Sequence, residues 1–203
     1  MKLKICGLSN PNEVKACTEF GADYCGFILN FPKSHRNISF ETADFLTQIK
    51  KIKSKFVGVL VNPSDEDLEK FAKLNLDYFQ LYGNYNDEKL LKIKKKFQIK
   101  VISSIQVKKK EDIFKYKLFE KNSDIILWDS SGYEKSYSWN YEWIKSIKVS
   151  AQKMIAGNIT LEKISKFSSL ADIIDVSGAL ETNKVKDINK IKEFILKVKK
   201  NED

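Results

Sequence analysis

Short runs of apolar, β-branched and aromatic residues alternate along the chain with longer stretches whose apolar positions recur every three or four residues. The short runs fall at residues 3–6, 23–29, 56–61, 78–81, 100–103, 125–128, 153–156 and 173–176. Their nearly continuous apolar character predicts strands covered on both faces, as in a parallel sheet flanked by helices. The longer stretches predict the helices. The first opens on Asn10-Pro11-Asn12-Glu13, which reads as an N-cap, a proline at the first helical position and an acid in the first turn. Val14, Cys17 and Phe20 form its apolar stripe, and Gly21 suits the left-handed position just past its end. Further helices are predicted over residues 40–53, 65–74, 87–96, 111–120, 141–149, 161–167 and 187–199.

Eight β units alternating with eight α units in 203 residues predict an α/β protein with one domain over residues 1–203, a single (βα)8 or TIM barrel. A doubly wound open sheet shares this periodicity and stays open as an alternative at this point. No linker or low-complexity segment interrupts the pattern. In a barrel, functional groups gather at the C-terminal ends of the strands and in the loops that follow. That rule alone singles out Cys6-Gly7, the loop 30–39, Asn62, Tyr82-Gly83, the segment 129–138, Gly157-Asn158 and Ser177-Gly178-Ala179.

Composition narrows the picture. A hydrophobic share of 42% is not that of a disordered chain. No apolar run approaches the roughly 20 residues of a membrane helix, so no membrane partner is expected. Charges interrupt the first apolar residues at once, unlike a signal peptide, and a cytoplasmic location is expected. The net charge of +9 invites a nucleic-acid reading. Yet the positive charge is almost all lysine and is spread along the chain. The triplets Lys94–Lys96 and Lys108–Lys110 fall on the polar sides or ends of predicted helices. No nucleic-acid partner is therefore expected. Arg36 is the single arginine and His35 the single histidine, which argues against a histidine-rich metal site. Three cysteines without a Cys-x-x-Cys pair argue against a disulfide framework or a zinc site. Cys17 and Cys25 read as small buried apolar residues.

Cys6 closes the first predicted strand before Gly7, a place for chemistry, though a cysteine there alone reads first as a structural thiol. Strand alternation puts Lys4 on the same side as Cys6, where an ammonium would favour thiolate. Asp175 shares the inward side of its own strand with Ser177 and is a candidate ion-pair partner for Lys4. Asp129, ending the sixth strand, reads as an acid, a base or a helix cap. Cys6 and Asp129 across one barrel mouth would make an acid/base pair. The small residues of Gly157-Asn158 and Ser177-Gly178-Ala179 would free backbone N–H groups for a phosphate, or serve simple turns.

A resemblance runs in order through nearly the whole chain. Lys4-Ile5-Cys6-Gly7 is similar to the opening K-I-C-G of the phosphoribosylanthranilate isomerase family. Gly21-Ala22-Asp23 with Gly26-Phe27 resembles its G-A-D-x-x-G-F, and Pro32-Lys33-Ser34-His35-Arg36 its P-K-S-x-R. Val57-Gly58-Val59 with Val61-Asn62 resembles V-G-V-F-V-N, Gln80-Leu81-Tyr82-Gly83 resembles Q-L-H-G, and Asp175-Val176-Ser177 resembles the start of D-V-S-S-G-V-E. The resemblance implies a (βα)8 barrel, no cofactor, and an Amadori rearrangement of N-(5-phosphoribosyl)anthranilate in tryptophan biosynthesis, part of aromatic amino-acid biosynthesis. Its partner would be that small phosphosugar–anthranilate substrate, and the protein a monomer or homodimer. Carried over by position, Cys6 resembles the general base and Asp129 the general acid. Arg36 matches the arginine near the anthranilate carboxylate. The segments at Gly157 and Gly178 match the phosphate grip. Tyr82, Asn158, Asp175, Ser177 and Ala179 complete the expected substrate contacts.

The departures are specific. The family's histidine in Q-L-H-G is Tyr82 here, so a role needing imidazole is lost or passes to a phenol. The family's G-G-T-G-K-T-F-x-W appears as Ser131-Gly132-Tyr133-Glu134-Lys135-Ser136-Tyr137-Ser138-Trp139, which keeps Lys135 and Trp139 with fewer glycines. The last motif reads Ser177-Gly178-Ala179-Leu180-Glu181, with a serine replaced by glycine and a glycine by alanine.

Overall fold

In the computed structural model, residues 1–130 and 137–200 are described, so the glycine-poor stretch 131–136 lies outside the described residues. Eight strands close into a barrel in chain order. They are β1 (Lys2–Cys6), β2 (Tyr24–Ile28), β3 (Lys55–Val61), β4 (Tyr78–Tyr82), β5 (Lys100–Val107), β6 (Ile125–Ser130), β7 (Gln152–Ile155) and β8 (Ile173–Val176). Every neighbouring pair is parallel, and β8 returns to β1 with Lys4 opposite Asp175. That closing pair decides for the barrel over the open sheet. After β8, a small antiparallel ribbon, β9 (Glu181–Thr182) and β10 (Val185–Lys186), precedes the last helix.

Period-two alternation sorts the side chains. Tyr24, Val57, Val59, Tyr78, Ile102 and Leu127 pack with Cys6 in one buried cluster inside the barrel. Residues of opposite parity, such as Ile5, Phe27, Leu60, Phe79 and Trp128, join the larger cluster between the strands and the outer layer. Burial on both faces is why these strands read as continuous apolar runs.

The helices are α1 (Pro11–Phe20), α2 (Phe40–Thr47), α3 (Asp65–Phe71), α4 (Asp87–Phe97), α5 (Ile164–Phe167) and α6 (Ile188–Lys200). Helix α1 is capped as its sequence predicts: the Asn10 side chain accepts from the Glu13 N–H, and Gly21 takes φ +90°. Helix α2 stops about two turns before the predicted residue 53. Beyond Ile49 no side chain seats in the core until Ser54, and Ile52 is 55% exposed, so nothing holds further turns. The predicted helices over 111–120 and 141–149 are 3-10 segments at Lys110–Leu118 and Tyr141–Ile144, and 161–167 is 3-10 over Leu161–Lys163 before α5. In the first of these, the Trp128 indole donates to the Ile113 carbonyl at 3.0 Å, engaging an acceptor that an α-helical ladder would use. No described helix is long and apolar enough to cross a membrane.

One ion pair sits inside the barrel. The Lys4 ammonium donates to Asp175 Oδ2 at 2.8 Å, and the Lys4 side chain is fully buried. Burial alone would lower the Lys4 pKa, but the adjacent Asp175 carboxylate outweighs it and holds the ammonium charged. Removing one partner strands a buried charge, whereas removing both together is far milder. Lys4→Met is therefore expected to cost about 3–5 kcal/mol in urea denaturation, and Lys4→Met/Asp175→Leu to recover most of it. A single-variant loss below about 1 kcal/mol, the level of an exposed pair, would show that the interaction is dispensable.

Candidate active site

The C-terminal mouth of the barrel encloses a cavity of about 530 Å³. The side chains of Cys6, Arg36, Tyr82, Asp129 and Asp175 line it, together with the turns at Gly157-Asn158 and Ser177-Gly178-Ala179. Of the positions singled out from the sequence, Cys6, Arg36, Tyr82, Asp129, Gly157, Asn158, Asp175, Ser177, Gly178 and Ala179 border this one space, whereas Gly7, Asn62 and Gly83 do not line it and 131–136 lie outside the described residues.

Cys6 ends β1 and is 8% exposed. It pairs in register with Gly26 of β2, where a Cβ would fall 3.0 Å from the Cys6 sulfur and 3.1 Å from Lys4 Nζ. Glycine at that position leaves the room in which thiol and ammonium meet. Burial pushes the Cys6 thiol pKa up, and the Lys4 charge partly offsets that rise. Cys17 and Cys25 are fully buried away from this cavity, as their apolar reading expects.

Asp129 lies one residue inside the end of β6, which runs to Ser130. Its Oδ2 accepts from the Tyr82 hydroxyl at 2.7 Å, and its Oδ1 accepts from the Ser130 N–H at 2.7 Å. Burial pushes the Asp129 carboxyl up to about 6, against the hydrogen bond from Tyr82, which favours the carboxylate. Gln80, two residues back on β4, donates from Nε2 to the Tyr82 hydroxyl at 3.1 Å. Burial, and then the Asp129 charge, hold the Tyr82 phenol well above its ordinary value, so it stays neutral. Gln80 Oε1 and Asp175 Oδ1 are buried acceptors with no partner among the described residues. Each leaves a desolvation cost of about 1–3 kcal/mol that a bound donor would relieve.

Arg36 crosses the tip of β1 in van der Waals contact with Gly7, whose absent Cβ would sit 2.4 Å from Arg36 Cδ. Its guanidinium fork meets Glu181: Nε donates to Oε1 at 2.5 Å and Nη2 to Oε2 at 3.0 Å. Lys186 donates to the same Oε1 at 2.6 Å, and His35 lies 3.1 Å from Oε2. Burial alone would raise the Glu181 pKa, but hydrogen bonds from Arg36 and Lys186 outweigh it and hold the carboxyl at about 2. Ser177 Oγ donates to the Cys6 carbonyl at 2.9 Å, tying the β8 loop to β1.

The turn after β7 is held by the β6–β7 connection. Gly157 and Asn158 have φ of +103° and +47°. The Tyr141 hydroxyl donates to the Gly157 carbonyl, Trp139 Nε1 to the Ala156 carbonyl at 2.9 Å, and Asn158 Nδ2 to Ser138 Oγ at 2.9 Å. Three polar residues here went unremarked as individual site groups from sequence. Gln80 shares the inward parity of Tyr82, and Glu181 closes the motif that begins at Asp175, so both carried a signal. Lys186 is one lysine among many and carried none. Among the described residues no group of three or more His, Cys, Asp or Glu side chains is arranged to hold a metal.

A closed eight-stranded barrel with its ionisable side chains gathered at the C-terminal mouth is the layout of (βα)8-barrel enzymes. The chain belongs to the N-(5′-phosphoribosyl)anthranilate (PRA) isomerase family, whose model matches residues 3–197. It is 35% identical over 205 residues to the N-(5′-phosphoribosyl)anthranilate isomerase of Streptococcus mutans, covering 98% of this chain and 99% of that one. Identity to the same-named enzyme of Thermoanaerobacter pseudethanolicus is 32%, covering 98% of each. The crystal structure of phosphoribosyl anthranilate isomerase from Thermotoga maritima superposes with a TM-score of 0.83 at 27% identity, covering 98% of this chain and 99% of that one. A further crystal structure holds the same-named enzyme in complex with reduced 1-(o-carboxyphenylamino)-1-deoxyribulose 5-phosphate. It superposes at 0.80 with 27% identity and the same coverage.

The Tyr82–Asp129 bond yields a titration test. Tyr82→Phe removes a donor that favours the carboxylate and leaves burial in place. The Asp129 pKa, about 6 in this environment, is expected to rise further. Carbon-detected NMR of labelled aspartate across pH reads it directly. An unchanged or lower value would show that Tyr82 does not set the acid.

Proposed function

We propose that this protein converts N-(5-phosphoribosyl)anthranilate into 1-(2-carboxyphenylamino)-1-deoxyribulose 5-phosphate, the isomerisation its family relatives are named for, in tryptophan biosynthesis. The observation that carries the reading is the placement of Cys6 and Asp129, from β1 and β6, on one cavity in separately tuned surroundings. Asp129, as the carboxylic acid, protonates the furanose ring oxygen. The C1–O bond opens while the anthranilate nitrogen lone pair forms the C1=N iminium. Cys6, as thiolate, takes the C2 proton, and those electrons form the C1=C2 bond of an enolamine. Protonation at C1 and loss of the C2 hydroxyl proton give the amino-ketose. The Cys6 thiol returns a proton to C1 and the Asp129 carboxylate takes the hydroxyl proton, so both groups end as they began; electron pairs move only within the substrate and the reaction needs no cofactor.

Arg36 faces the anthranilate carboxylate, and the turns at Gly157-Asn158 and Ser177-Gly178-Ala179 take the phosphate on backbone N–H groups. Asp175 Oδ1 and Gln80 Oε1 accept from sugar hydroxyls. Tyr82 acts through Asp129. A monomer or a homodimer is the expected assembly. A cytoplasmic location fits a biosynthetic enzyme of this class.

Loss of phosphoribosylanthranilate fluorescence on adding the purified protein tests the reading, and a flat trace refutes it. Cys6→Ala is expected to lower kcat by about 10²–10⁴-fold with the melting temperature retained. Asp129→Asn keeps the shape but has no proton to give, and should fall by more than about tenfold. Near wild-type turnover in either variant reassigns that role.

Protonation sets the pH profile. Below about pH 6 both groups carry protons and the base is blocked. Above the raised thiol pKa both are deprotonated and the acid is spent. Between these limits the pair shares one proton. It resides mostly on Cys6, and the productive form with the proton on Asp129 is a constant minor fraction. The kcat/KM profile is therefore expected to be bell-shaped, rising through about pH 6 and falling only on the alkaline side of the ordinary thiol range. A maximum below pH 6 would contradict the assignment.

A further inference from the structure

We propose that Glu181 is a positioning residue: it holds the Arg36 guanidinium so that its remaining edge meets the substrate carboxylate, with Lys186 as counter-charge. The inference rests on Arg36 being the carboxylate-binding group.

Three observations lead to it. First, the fork of Arg36 is engaged within the protein itself, because Nε and Nη2 both donate to Glu181. A guanidinium has five N–H groups in one plane, so two bonds from one side fix that plane and leave the Nη1 edge and the second Nη2 hydrogen for a ligand. Second, the arm is confined along its length. Gly7 has no Cβ to collide with Arg36 Cδ, and at Gly178 a Cβ would lie 3.5 Å from Nη2. An arginine held this way has lost its rotamer freedom before the ligand arrives, so binding does not have to impose that order. Third, the clamp is charge-balanced for an anion. Glu181 alone would repel a carboxylate. Lys186, with its side chain 2% exposed, donates to Glu181 Oε1 at 2.6 Å and to Ser177 at 3.4 Å. Two cations against one carboxylate leave the cluster positive toward the cavity that Arg36 lines.

The ribbon makes this rigid. Glu181 and Lys186 are register partners across β9 and β10, so acid and ammonium are presented from one two-stranded unit directly after β8. The arrangement therefore spans three parts of the rim: the loop after β2, the tip of β1 and the segment after β8.

Isothermal titration of the full chain with two probes tests it. One is the reduced carboxyphenylamino deoxyribulose phosphate; the other is its phenylamino counterpart without the carboxylate. Glu181→Gln keeps the shape but replaces an oxygen acceptor by an NH2 that faces donors. It is expected to weaken the carboxylate probe roughly tenfold and the phenylamino probe less than about twofold, with KM rising more than kcat falls. Added to Arg36→Ala, it should have no further effect on the carboxylate probe. Equal weakening of both probes, or an undiminished effect in the Arg36→Ala background, overturns the proposal. If Arg36→Ala discriminates the probes and Glu181→Gln does not, the role of Arg36 stands and the positioning role falls. If Arg36→Ala does not discriminate them, both fall. Should Glu181→Gln melt below the assay temperature, Glu181→Asp, which withdraws the carboxylate by one methylene, is read by the same criteria.

Discussion

The buried pair between Lys4 and Asp175 constrains both the barrel and its mouth. Neither charge is tolerable alone in the apolar interior, and the two belong to the first and last strands, which meet only when the barrel closes. The register that places Lys4 opposite Asp175 also sets Cys6 one inward step above the ammonium. Just past β8, Ser177 lies two residues on from Asp175 and borders the same cavity. Ser177 then ties back to the Cys6 carbonyl. A one-residue slip of β1 at this seam would turn Lys4 and Cys6 toward the helices and leave Asp175 inside without its counter-charge. Closure of the fold and assembly of the site are thus one event at the level of this strand pair.

Above that pair the mouth is electrically divided. Lys4, Lys186 and Arg36 cluster around β1, the loop after β2 and the segment after β8, beside Cys6. The β4 and β6 side offers Tyr82, Gln80 and Asp129, a neutral donor network around one carboxyl. Burial raises the pKa of both Cys6 and Asp129, but the cationic half draws the thiol toward thiolate, while the other half leaves the carboxyl able to hold a proton near neutrality. The same division gives an anionic substrate a direction in which to lie.

Much of this was legible in the sequence because the physics is local. Strands buried on both faces read as apolar runs, and the inward parity of Lys4, Cys6 and Asp175 follows from period-two alternation alone. The cap of α1 was equally readable from Asn10, Pro11 and Gly21. The outer layer after β5, β6 and β7 was less so, since tertiary demands override propensity there; the Trp128 bond to the Ile113 carbonyl joins positions that no helical period relates. Arg36 stood out as the lone arginine, but its anchorage did not, because Glu181 and Lys186 reach it through the fold from 145 residues and more away. Local patterning carries parity and caps; it does not carry which acid meets which base.

Tyr82 shows how a departure from the family pattern fits this chemistry. An imidazole next to Asp129 would titrate in the same range as the carboxyl, since its ordinary pKa is about 6.5, and each charge would shift the other. The phenol does not titrate there, because burial and the neighbouring carboxylate keep it protonated. It therefore offers Asp129 a donor of constant charge across the range in which that carboxyl titrates. Gln80 fixes that hydroxyl from behind, so its hydrogen is directed at Asp129 Oδ2 rather than shared with solvent. When Asp129 is protonated, the phenol oxygen can turn acceptor without changing its own charge. A tyrosine at this position thus keeps a second titrating group away from the Asp129 carboxyl while still giving it a hydrogen-bonding partner.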